Sequence, residues 1–397
     1  MKQRKLFSIL FRVVYVLLKV YGFLPLKYDF RRNRFESCRV SLCYCLVLML
    51  VYGVGMFYVY RNIIDNTVHE SSLNNLFMKM QFGLNYFFFM LTISVAIVGR
   101  NLVKYLLNIL IFLTNIILAR SIKLVDNKLL THILFKLVFV DIFIQIFIII
   151  SYSKYDTDSW KFSIKSTLNF TFMWSTAVLS NGYVAICYLI AHLYRQINLQ
   201  IADLVQKLCN FGSDHSHWSL KSTKKKQLFR QIATELDRLA YLHRDVTTVV
   251  QWFVKIFDFS LLVMIVWDFF IVMFAIFYTY TSLVQDIRDN VRPPWSKYGQ
   301  SCSVAIFQAF QFYSIVSASA LVTHRAEKTG LVLNRFFRAE VTERVEKAIE
   351  MFTIELLHQP YSIENCGMFK VDFTLMYSMV ATITSYLIIM IQFQLSE

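Results

Sequence analysis

The chain has 397 residues, of which 56% are hydrophobic and 37 are Phe, and it carries a formal net charge of +15. Ordinary soluble domains are about 45–50% apolar, whereas long uncharged runs are typical of membrane helices. With only 10 Gly and 4 Pro, the chain also lacks turn residues for a β-rich fold. The composition therefore predicts an all-α, polytopic membrane protein.

A basic segment precedes the first apolar run. Lys5, Arg12 and Lys19 recur every seven residues with apolar residues between them, and they interrupt the apolar core that a signal peptide needs. The pattern fits a helix lying in the inner headgroup layer or a helix packed in the cytoplasm. We predict that residues 1–40 are a cytoplasmic segment with an interfacial helix.

Seven apolar runs reach the roughly 20 residues that a membrane-spanning helix needs. They cover residues 41–60, 80–99, 133–151, 166–194, 256–283, 301–322 and 371–395. The stretch 101–119 is apolar as well, but Lys104 and three asparagines interrupt it. We predict that this stretch continues the second span or forms a surface helix.

The distribution of Lys and Arg predicts the orientation. The N-terminal segment and alternate loops hold 10, 5, 10 and 7 of them, against 2, 3 and 3 in the other loops. The positive-inside rule places the richer set in the cytoplasm, so the N-terminus is predicted inside and the C-terminus outside. The basic charge then reflects topology, and no nucleic-acid partner is predicted.

Two long segments between spans carry apolar residues at helical spacing. Such stripes must pack on something, and packing on each other or on copies in neighbouring subunits is expected. Residues Phe211–Lys226 suggest a flexible connection, and Asp214, His215 and His217 within it suggest a solvated loop rather than a metal site. The predicted division is residues 41–322 as the first six spans with a cytoplasmic loop at 195–255, 323–370 as a cytoplasmic helical anchor, and 371–397 as the seventh span.

The seventh span carries polar residues on one helical face, and we call this set the polar stripe. Its members are Thr374, Ser378, Thr382, Ser385 and Gln392. Steps of three, four and seven residues keep side chains on one side of a helix. Such a face can line a water-filled path when three to five symmetry copies enclose it. It can equally hydrogen-bond to neighbouring helices, and periodicity does not separate these two readings.

Charged residues also occur inside other spans. Lys136 and Asp258 lie near predicted cytoplasmic ends, from which their side chains can reach the interface. Asp141 and Asp268 lie deeper, and polar groups at that depth suggest function by default. Structural pairing and the coupling of ligand binding to gating both account for them.

Aromatic and amide side chains gather in the outer halves of the second, fourth, fifth and sixth spans. A few polar groups among aromatics are the usual lining of a small-molecule pocket, although aromatic residues also mark membrane interfaces. The candidate ligand-binding residues are Gln81, Tyr86, Trp174, Tyr278, Gln308 and Gln311.

The end of the chain resembles the insect gustatory receptors. That family shares Thr-Tyr, five hydrophobic residues and Gln-Phe in its last helix. Here Ser385-Tyr386 precedes five hydrophobic residues and then Gln392-Phe393, so only Thr to Ser differs. The stretch before it, with Gly367, Phe369 and Val371, is similar to the family's Gly-x-Phe-x-apolar approach to the motif.

The resemblance implies a ligand-gated, non-selective cation channel in the plasma membrane of taste-neuron dendrites. It implies a homotetramer, or a heterotetramer with other gustatory receptors, around one pore lined by the seventh helix. Carried over to this chain, Gln392 and Phe393 lie near the gate and Ser385 and Tyr386 deeper, with Thr382 and Ile389 on the same lining. The ligand is a small-molecule tastant, and no enzymatic activity or cofactor is implied.

Sugar receptors of that family carry an acid directly after the motif's tyrosine, where this chain has Leu387. The resemblance therefore favours a bitter or otherwise aversive tastant. An olfactory-type receptor of the same superfamily is the nearest alternative. A G-protein-coupled receptor has the opposite orientation, a secondary transporter favours internal repeats, and no paired catalytic set for an intramembrane enzyme stands out.

Overall fold

The computed structural model describes residues 2–66, 72–120, 127–148, 150, 159–213, 218–290, 295–338, 341–359 and 361–396. Within these ranges the chain is almost entirely helical, with two short antiparallel hairpins. One hydrophobic core runs through most of the helices, and smaller clusters lie beneath the N-terminal segment.

The N-terminal segment is a helix followed by a hairpin. Helix α1 spans Lys2–Val20, and strands β1 (Leu26–Asp29) and β2 (Arg34–Ser37) pair antiparallel with Leu26 opposite Ser37. One face of α1 packs inward through Leu10 and Val14, while its outer face exposes several valines. The packed face agrees with a helix held against the bundle, and the placement of the outer face in the headgroup layer stays a prediction.

The first two spans are α2 (Arg39–Asn66) and α3 (Ser72–Val98), and α4 (Arg100–Ala119) follows α3 at once. Gly99 separates the two helices: its N–H donates to Val95 O at 2.8 Å at the end of α3, and its carbonyl accepts from Val103 N at 3.0 Å at the start of α4. Residues 101–119 therefore follow the second span directly, and by length and composition they could cross a membrane themselves.

The third span contains a π-helix. Helix α5 covers Asn127–Phe135, the π-helical segment covers Lys136–Ile144, and α-helical structure resumes to Ile148. A π-helix forms hydrogen bonds between residues five apart and is frequent at functional sites. Because it lies inside an otherwise regular apolar span, this segment is a candidate functional element.

The next three helices are much longer than a membrane is thick. They are α6 (Ser159–Ser213), α7 (Trp218–Arg288) and α8 (Trp295–Leu333), and a 3₁₀ segment, Asn334–Arg338, follows α8. At 1.5 Å per residue, 55 residues extend about 80 Å, against about 30 Å of hydrocarbon. Residues 195–255 are therefore helical continuations of two spans wherever they are described, including most of the segment predicted to be a flexible connection. Asp214, His215 and His217 lie outside the described residues.

The continuations pack together at one end of the bundle, which we call the extension end. Arg120 at the end of α4 forms an ion pair of 2.6 Å with Glu235 of α7. Thr329 of α8 donates to Asn198 of α6 at 2.8 Å. Helix α9 (Glu343–His358) packs on α7 there through Val345, Ile349 and Phe352 among others. The predicted amphipathic stripes thus pack on each other.

A second hairpin and the last helix complete the chain. Strands β3 (Glu364–Asn365) and β4 (Phe369–Lys370) pair antiparallel, and α10 covers Phe373–Ser396. Helix α6 is buried along most of its membrane-length part, whereas α10 is almost wholly exposed.

By length and composition, seven helices in the described part can cross a membrane. They are Arg39–Tyr58, Arg100–Ala119, Thr131–Ile148, Trp174–Asn210, Lys225–Arg288, Ser301–Phe337 and Phe373–Phe393. The apolar stretch Gly83–Val98 is shorter and runs on into the second of these through Gly99. The predicted all-α, seven-helix membrane fold is confirmed, and the orientation of its ends stays a prediction.

Candidate functional site

The polar stripe lies on the unpacked side of α10. All five of its residues are exposed, whereas Met379 and Ile383, on the opposite side, are buried against the bundle. The contacts of α10 with the helical bundle are made with α7 and α8. In the single chain, the stripe therefore faces away from the described helices, so its side chains form no hydrogen bonds to a neighbouring helix there.

The stripe hydroxyls direct their donors back into the helix. Ser378 donates to Thr374 O at 3.0 Å, Thr382 to Ser378 O at 2.8 Å, and Ser385 to Ala381 O at 3.0 Å. Since the hydroxyl protons of these three residues are used within the helix, their oxygen lone pairs remain available toward the outside. The stripe is thus a column of acceptors, which suits water and hydrated cations.

The other predicted pore residues lie on the same helix in two different settings. Ile389 and Phe393 are exposed, like the stripe. Tyr386 is half exposed, and its ring meets Phe269 of α7 edge-on at 6.2 Å between centroids. Tyr386 is therefore a contact between α10 and the bundle as well as a neighbour of the stripe.

The second hairpin ties the start of α10 to α7. Asn365 Nδ2 donates to Asp258 O at 2.9 Å, and Cys366 N donates to the Asp258 carboxylate. Met368 N closes the turn on Asn365 O at 2.8 Å, with Cys366 and Gly367 at φ of 49° and 66°. Two consecutive positive φ angles are typical of a tight hairpin turn and favour glycine. The Gly-x-Phe-x-apolar pattern noted in the sequence thus builds this hairpin.

A closed network of four buried side chains lies inside the bundle, and we call it the buried polar cluster. Lys136 donates to Gln311 Oε1 at 2.8 Å and to Asn181 Oδ1. The amide groups of Asn181 and Gln311 each donate to the Asp141 carboxylate at 2.6 Å. Lys136 Nζ is 3.5 Å from Asp141 Oδ2. The cluster joins the third span to α6 and α8.

The π-helix explains how Lys136 and Asp141 meet. An α-helix places residues five apart on different sides, because its side chains repeat at three and four residues. In a π-helix residues five apart lie one above the other, so both side chains reach the same amides. The expectation that Lys136 extends to the interface is wrong: the side chain is buried and paired within the bundle.

Several buried side chains have polar atoms without a hydrogen-bond partner among the described residues, Ser180 and His243 included, and three of them bear on the cluster. They are Gln145, Asp268 and Gln308, each at most 1% exposed. Gln145 lies one helical turn beyond Asp141, and Gln308 lies one turn before Gln311. Lys136 interacts electrostatically with Asp268. Since buried polar groups are nearly always satisfied, these three suit a hydrogen-bonding guest.

The predicted ligand residues are distributed unevenly. Gln311 belongs to the buried polar cluster, and Gln308 lies one turn before it with its amide atoms unpartnered among the described residues. Trp174 is half-buried on α6, whereas Tyr86 and Tyr278 lie on exposed faces, and the Gln81 side chain lies outside the described residues. The sequence reasoning missed Asn181 and Gln145 and misplaced Lys136. The available signal was that Lys136 and Asp141 are the only charges between Thr131 and Ile148.

The cluster and α10 are connected by a short path. Asp268 precedes Phe269, whose ring contacts Tyr386 of α10. A change around Asp268 can therefore reach the pore candidate through one residue of α7. Among the described residues, no group of His, Cys, Asp and Glu is arranged to hold a metal ion.

The chain matches the family described as 7tm chemosensory receptor over residues 11–397. It is 22% identical over 242 residues to the Drosophila melanogaster protein called gustatory receptor 28b, covering 57% of this chain and 50% of that relative. It is 49% identical over 49 residues to gustatory receptor 2a of the same species, covering 12% of this chain and 11% of that relative. The matched regions thus span half or less of these relatives' lengths.

Solved structures share the fold. The insect olfactory receptor OR5 from Machilis hrabei superposes with a TM-score of 0.64 at 10% identity, covering 96% of this chain and 97% of that one. The same receptor in complex with eugenol gives a TM-score of 0.63 at 11% identity, covering 97% and 99%.

Proposed function

This chain belongs to the 7tm chemosensory receptor family, and we propose that it is a gustatory receptor that acts as a ligand-gated, non-selective cation channel. The observation that carries the proposal is the polar stripe on the unpacked side of α10. One such helix encloses no pore, but four copies around a symmetry axis do. The stripe's acceptor oxygens then face the axis, and Gln392 and Phe393 form the gate near its end.

The site for the ligand that opens the channel consists of the buried polar cluster and the neighbouring side chains Gln145, Asp268 and Gln308, whose polar atoms lack hydrogen-bond partners among the described residues. The amides of Gln145 and Gln308 offer donors and acceptors, and the Asp268 carboxyl offers acceptors. A site built from buried hydrogen-bonding groups strongly prefers ligands that satisfy them. We infer that the ligand is a small, largely apolar molecule with a hydrogen-bond donor such as an amine nitrogen, as in many bitter compounds.

Coupling runs from Asp268 through Phe269 to Tyr386. A ligand that contacts Asp268 shifts the equilibrium toward an open pore only if it binds that state more tightly. The Phe269–Tyr386 contact is where the two states would differ. Asp141, in contrast, is held by both amides and Lys136, so its role is to keep the walls of the site in place.

Assembly into a tetramer is supported by α9 as well as α10. Helix α9 buries one side on α7 and exposes Met351, Ile354 and Leu357 on the other. Exposed apolar patches on a helix at the extension end mark an interaction surface. We infer that these residues contact neighbouring subunits, either identical copies or other gustatory receptors.

A gustatory role is favoured over an olfactory one by the motif Ser385-Tyr386 to Gln392-Phe393 and by the names of the two Drosophila relatives. The olfactory receptor structures, at 10% and 11% identity, support the shared fold only. An olfactory-type receptor is the second candidate. The proposed location is the plasma membrane of taste-neuron dendrites, and Leu387 supports an aversive tastant over a sugar.

Expression in cells with ionic current as the readout tests the proposal. A panel of bitter amines, neutral bitter compounds and sugars should reveal a current that blockade of G-protein signalling leaves intact. Gln392→Ala should change ion selectivity or rectification, whereas Met390→Ala on the packed side should not. A current abolished by G-protein blockade, or identical permeation in Gln392→Ala, would contradict the proposal.

A further inference from the structure

An apolar cavity lies beside the buried polar cluster, since the lining residues Leu179 and Gly182 flank Asn181 in α6. The walls of the cavity are formed by α1, the first hairpin, α3, α4, α6 and α7. Its volume is about 90 Å³. Most of its wall is hydrocarbon, as at Val14, Phe35, Ala96, Leu107 and Phe257. Apolar cavities of this order stay free of water and accept apolar guests.

Two hydroxyl groups in the wall, those of Thr92 and Tyr15, are bonded within the protein, and Ser260 adds one further hydroxyl. Thr92 Oγ1 donates to Phe88 O of its own helix at 2.8 Å. The Tyr15 hydroxyl accepts the backbone N–H of Tyr28 at 3.2 Å. A guest with several hydrogen-bonding groups would leave them unsatisfied, at a cost. The chemistry of the wall therefore selects a hydrocarbon chain.

The outer side of α1, which covers the cavity, is built for a lipid interface. Val13, Val16 and Val20 are exposed on it, and Arg12 and Lys19 lie on the same helix. Exposed apolar residues with basic residues beside them are typical of helices lying at the headgroup level. The cavity thus lies directly beneath an element that faces both acyl chains and phosphates.

A cation stands close to the cavity wall. The Lys19 ammonium lies 5.9 Å from the centre of the Tyr15 ring, and Tyr15 itself lines the cavity. Arg12 lies over Phe30 of the first hairpin at 5.5 Å. A molecule whose tail enters the cavity past Tyr15 would therefore bring its polar end to a positive charge.

We propose that this cavity binds an acyl chain of an anionic phospholipid, with the lipid phosphate beside Lys19. Bilayer tails are already in an apolar medium, so burial alone gives little preference. The preference arises because an empty cavity leaves its lining atoms without contact partners, and because Lys19 attracts negative headgroups. The cavity lies beside the proposed tastant site but accepts a hydrocarbon chain rather than a hydrogen-bonding ligand, and the proposal stands whether or not the chain conducts ions.

Photo-crosslinking in nanodiscs tests this site. The purified full-length protein is placed in phosphatidylcholine with a minority of phosphatidylglycerol that carries a photoreactive group near the end of one acyl chain. Adducts should concentrate on peptides that line the cavity, such as those containing Ala96 and Leu107. Ala96→Phe, which fills the cavity, should lower these adducts about tenfold. The matched control Val98→Phe, at an 85% exposed position of the same helix, should leave them unchanged.

The headgroup is tested independently of cavity filling. Lys19→Gln should reduce the preference for phosphatidylglycerol over phosphatidylcholine about fivefold, whereas Lys347→Gln on the exposed side of α9 should not. Adducts spread evenly over lipid-facing helices, or equal labelling in Ala96→Phe and the parent, would overturn the acyl-chain site. If Ala96→Phe fails to fold, an unchanged headgroup preference in Lys19→Gln overturns the proposal by itself.

Discussion

At the scale of single residues, Lys136 and Asp141 form a buried ion pair. The bundle tolerates the two charges together but not either charge alone. Each charge has its partner and both amides, so every strong donor and acceptor of the pair is used. Two charges buried together are tolerated when their hydrogen bonds are complete, whereas one charge left alone is not. The cluster thus fixes the third span against α6 and α8.

Asp141→Asn should destabilise the protein. The substitution leaves the Lys136 ammonium buried without its countercharge and turns an amide N–H toward the donors of Asn181 and Gln311. We expect a loss of about 3–5 kcal/mol in the free energy of unfolding, measured by thermal or denaturant unfolding in detergent. The double variant Lys136→Met with Asp141→Leu should lose less than Asp141→Asn alone. Equal stability of Asp141→Asn and the parent would show that the cluster is not structural.

Asp268→Asn should have the opposite profile. Its carboxyl is buried and lacks a hydrogen bond, so a neutral side chain of the same shape should raise the free energy of unfolding by about 1 kcal/mol. The ligand concentration for half-maximal current should rise about tenfold. Asp245→Asn at an exposed position of α7 is the control and should change neither. A large loss of stability with unaltered ligand response would assign Asp268 a structural role.

The sequence predicted Asp141, Asp268, Gln308 and Gln311 as site residues but did not predict the closed cluster. Helical spacing assigns Lys136 and Asp141 to different sides, and only the π-helical hydrogen bonding brings them together. Asn181 carries no local signal, since its role depends on a neighbour 45 residues away. Pairing across spans is a property of packing, which periodicity along one helix does not contain.

At the scale of elements, the hairpin before α10 anchors this helix, which we propose lines the pore, to the bundle. Asp258 of α7 holds Asn365 and Cys366, and Val371 is buried just before α10 begins. Helix α10 itself buries little, so its placement depends on this anchor more than on its own packing. Asp258 is therefore the point at which α7 holds the base of α10.

Gly367→Ala tests this anchor. Gly367 has a φ of 66°, and a side chain in the left-handed region costs about 1–2 kcal/mol. We expect reduced stability and a lower maximal current. Gly330→Ala is the matched control, because Gly330 lies in α8 with open space around it; there Ala should stabilise by about 0.5–1 kcal/mol. Equal effects of the two substitutions on stability and current would contradict the role of the hairpin as an anchor of α10.

Helix positions were largely predictable, because apolar runs and Lys and Arg at their ends locate spans directly. The helical continuations in residues 195–255 were less so. Their sequence is charged and polar on one side, which an exposed loop and a packed helix share. The partner surfaces, such as Glu235 of α7 for Arg120 of α4, come from segments far apart in the sequence.

At the scale of the whole molecule, two helices of the single chain have large exposed faces that suit contact with other subunits. Helix α10 is almost wholly exposed, and α9 exposes Met351, Ile354 and Leu357 at the extension end. The proposed tetramer covers both: α10 around the pore axis and α9 between subunits. In the proposed tetramer, assembly and conduction would therefore depend on the same arrangement.

Leu357→Arg should weaken this assembly. Leu357 is 79% exposed, so the substitution leaves the fold of one chain intact, and a charge within a subunit interface costs several-fold in association. Light scattering in detergent should show smaller particles and cells should show reduced current. Ser37→Arg, at an exposed position of the first hairpin, introduces the same charge on an element other than α9 and should retain assembly. Intact tetramers in Leu357→Arg would exclude this side of α9 from the interface.

The central claim is that the polar stripe of α10 faces the ion path, and cysteine accessibility tests it most directly. Cysteines are placed one at a time along α10 in a parent whose exposed cysteines, Cys43, Cys209, Cys302 and Cys366, are replaced by serine. A charged thiol reagent is applied while the ligand holds the channel open. The account predicts block at Ser378, Thr382, Ser385 and Gln392 but not at Met379 or Ile383. Block at the packed positions, or modified stripe positions that leave the current unchanged, would contradict it.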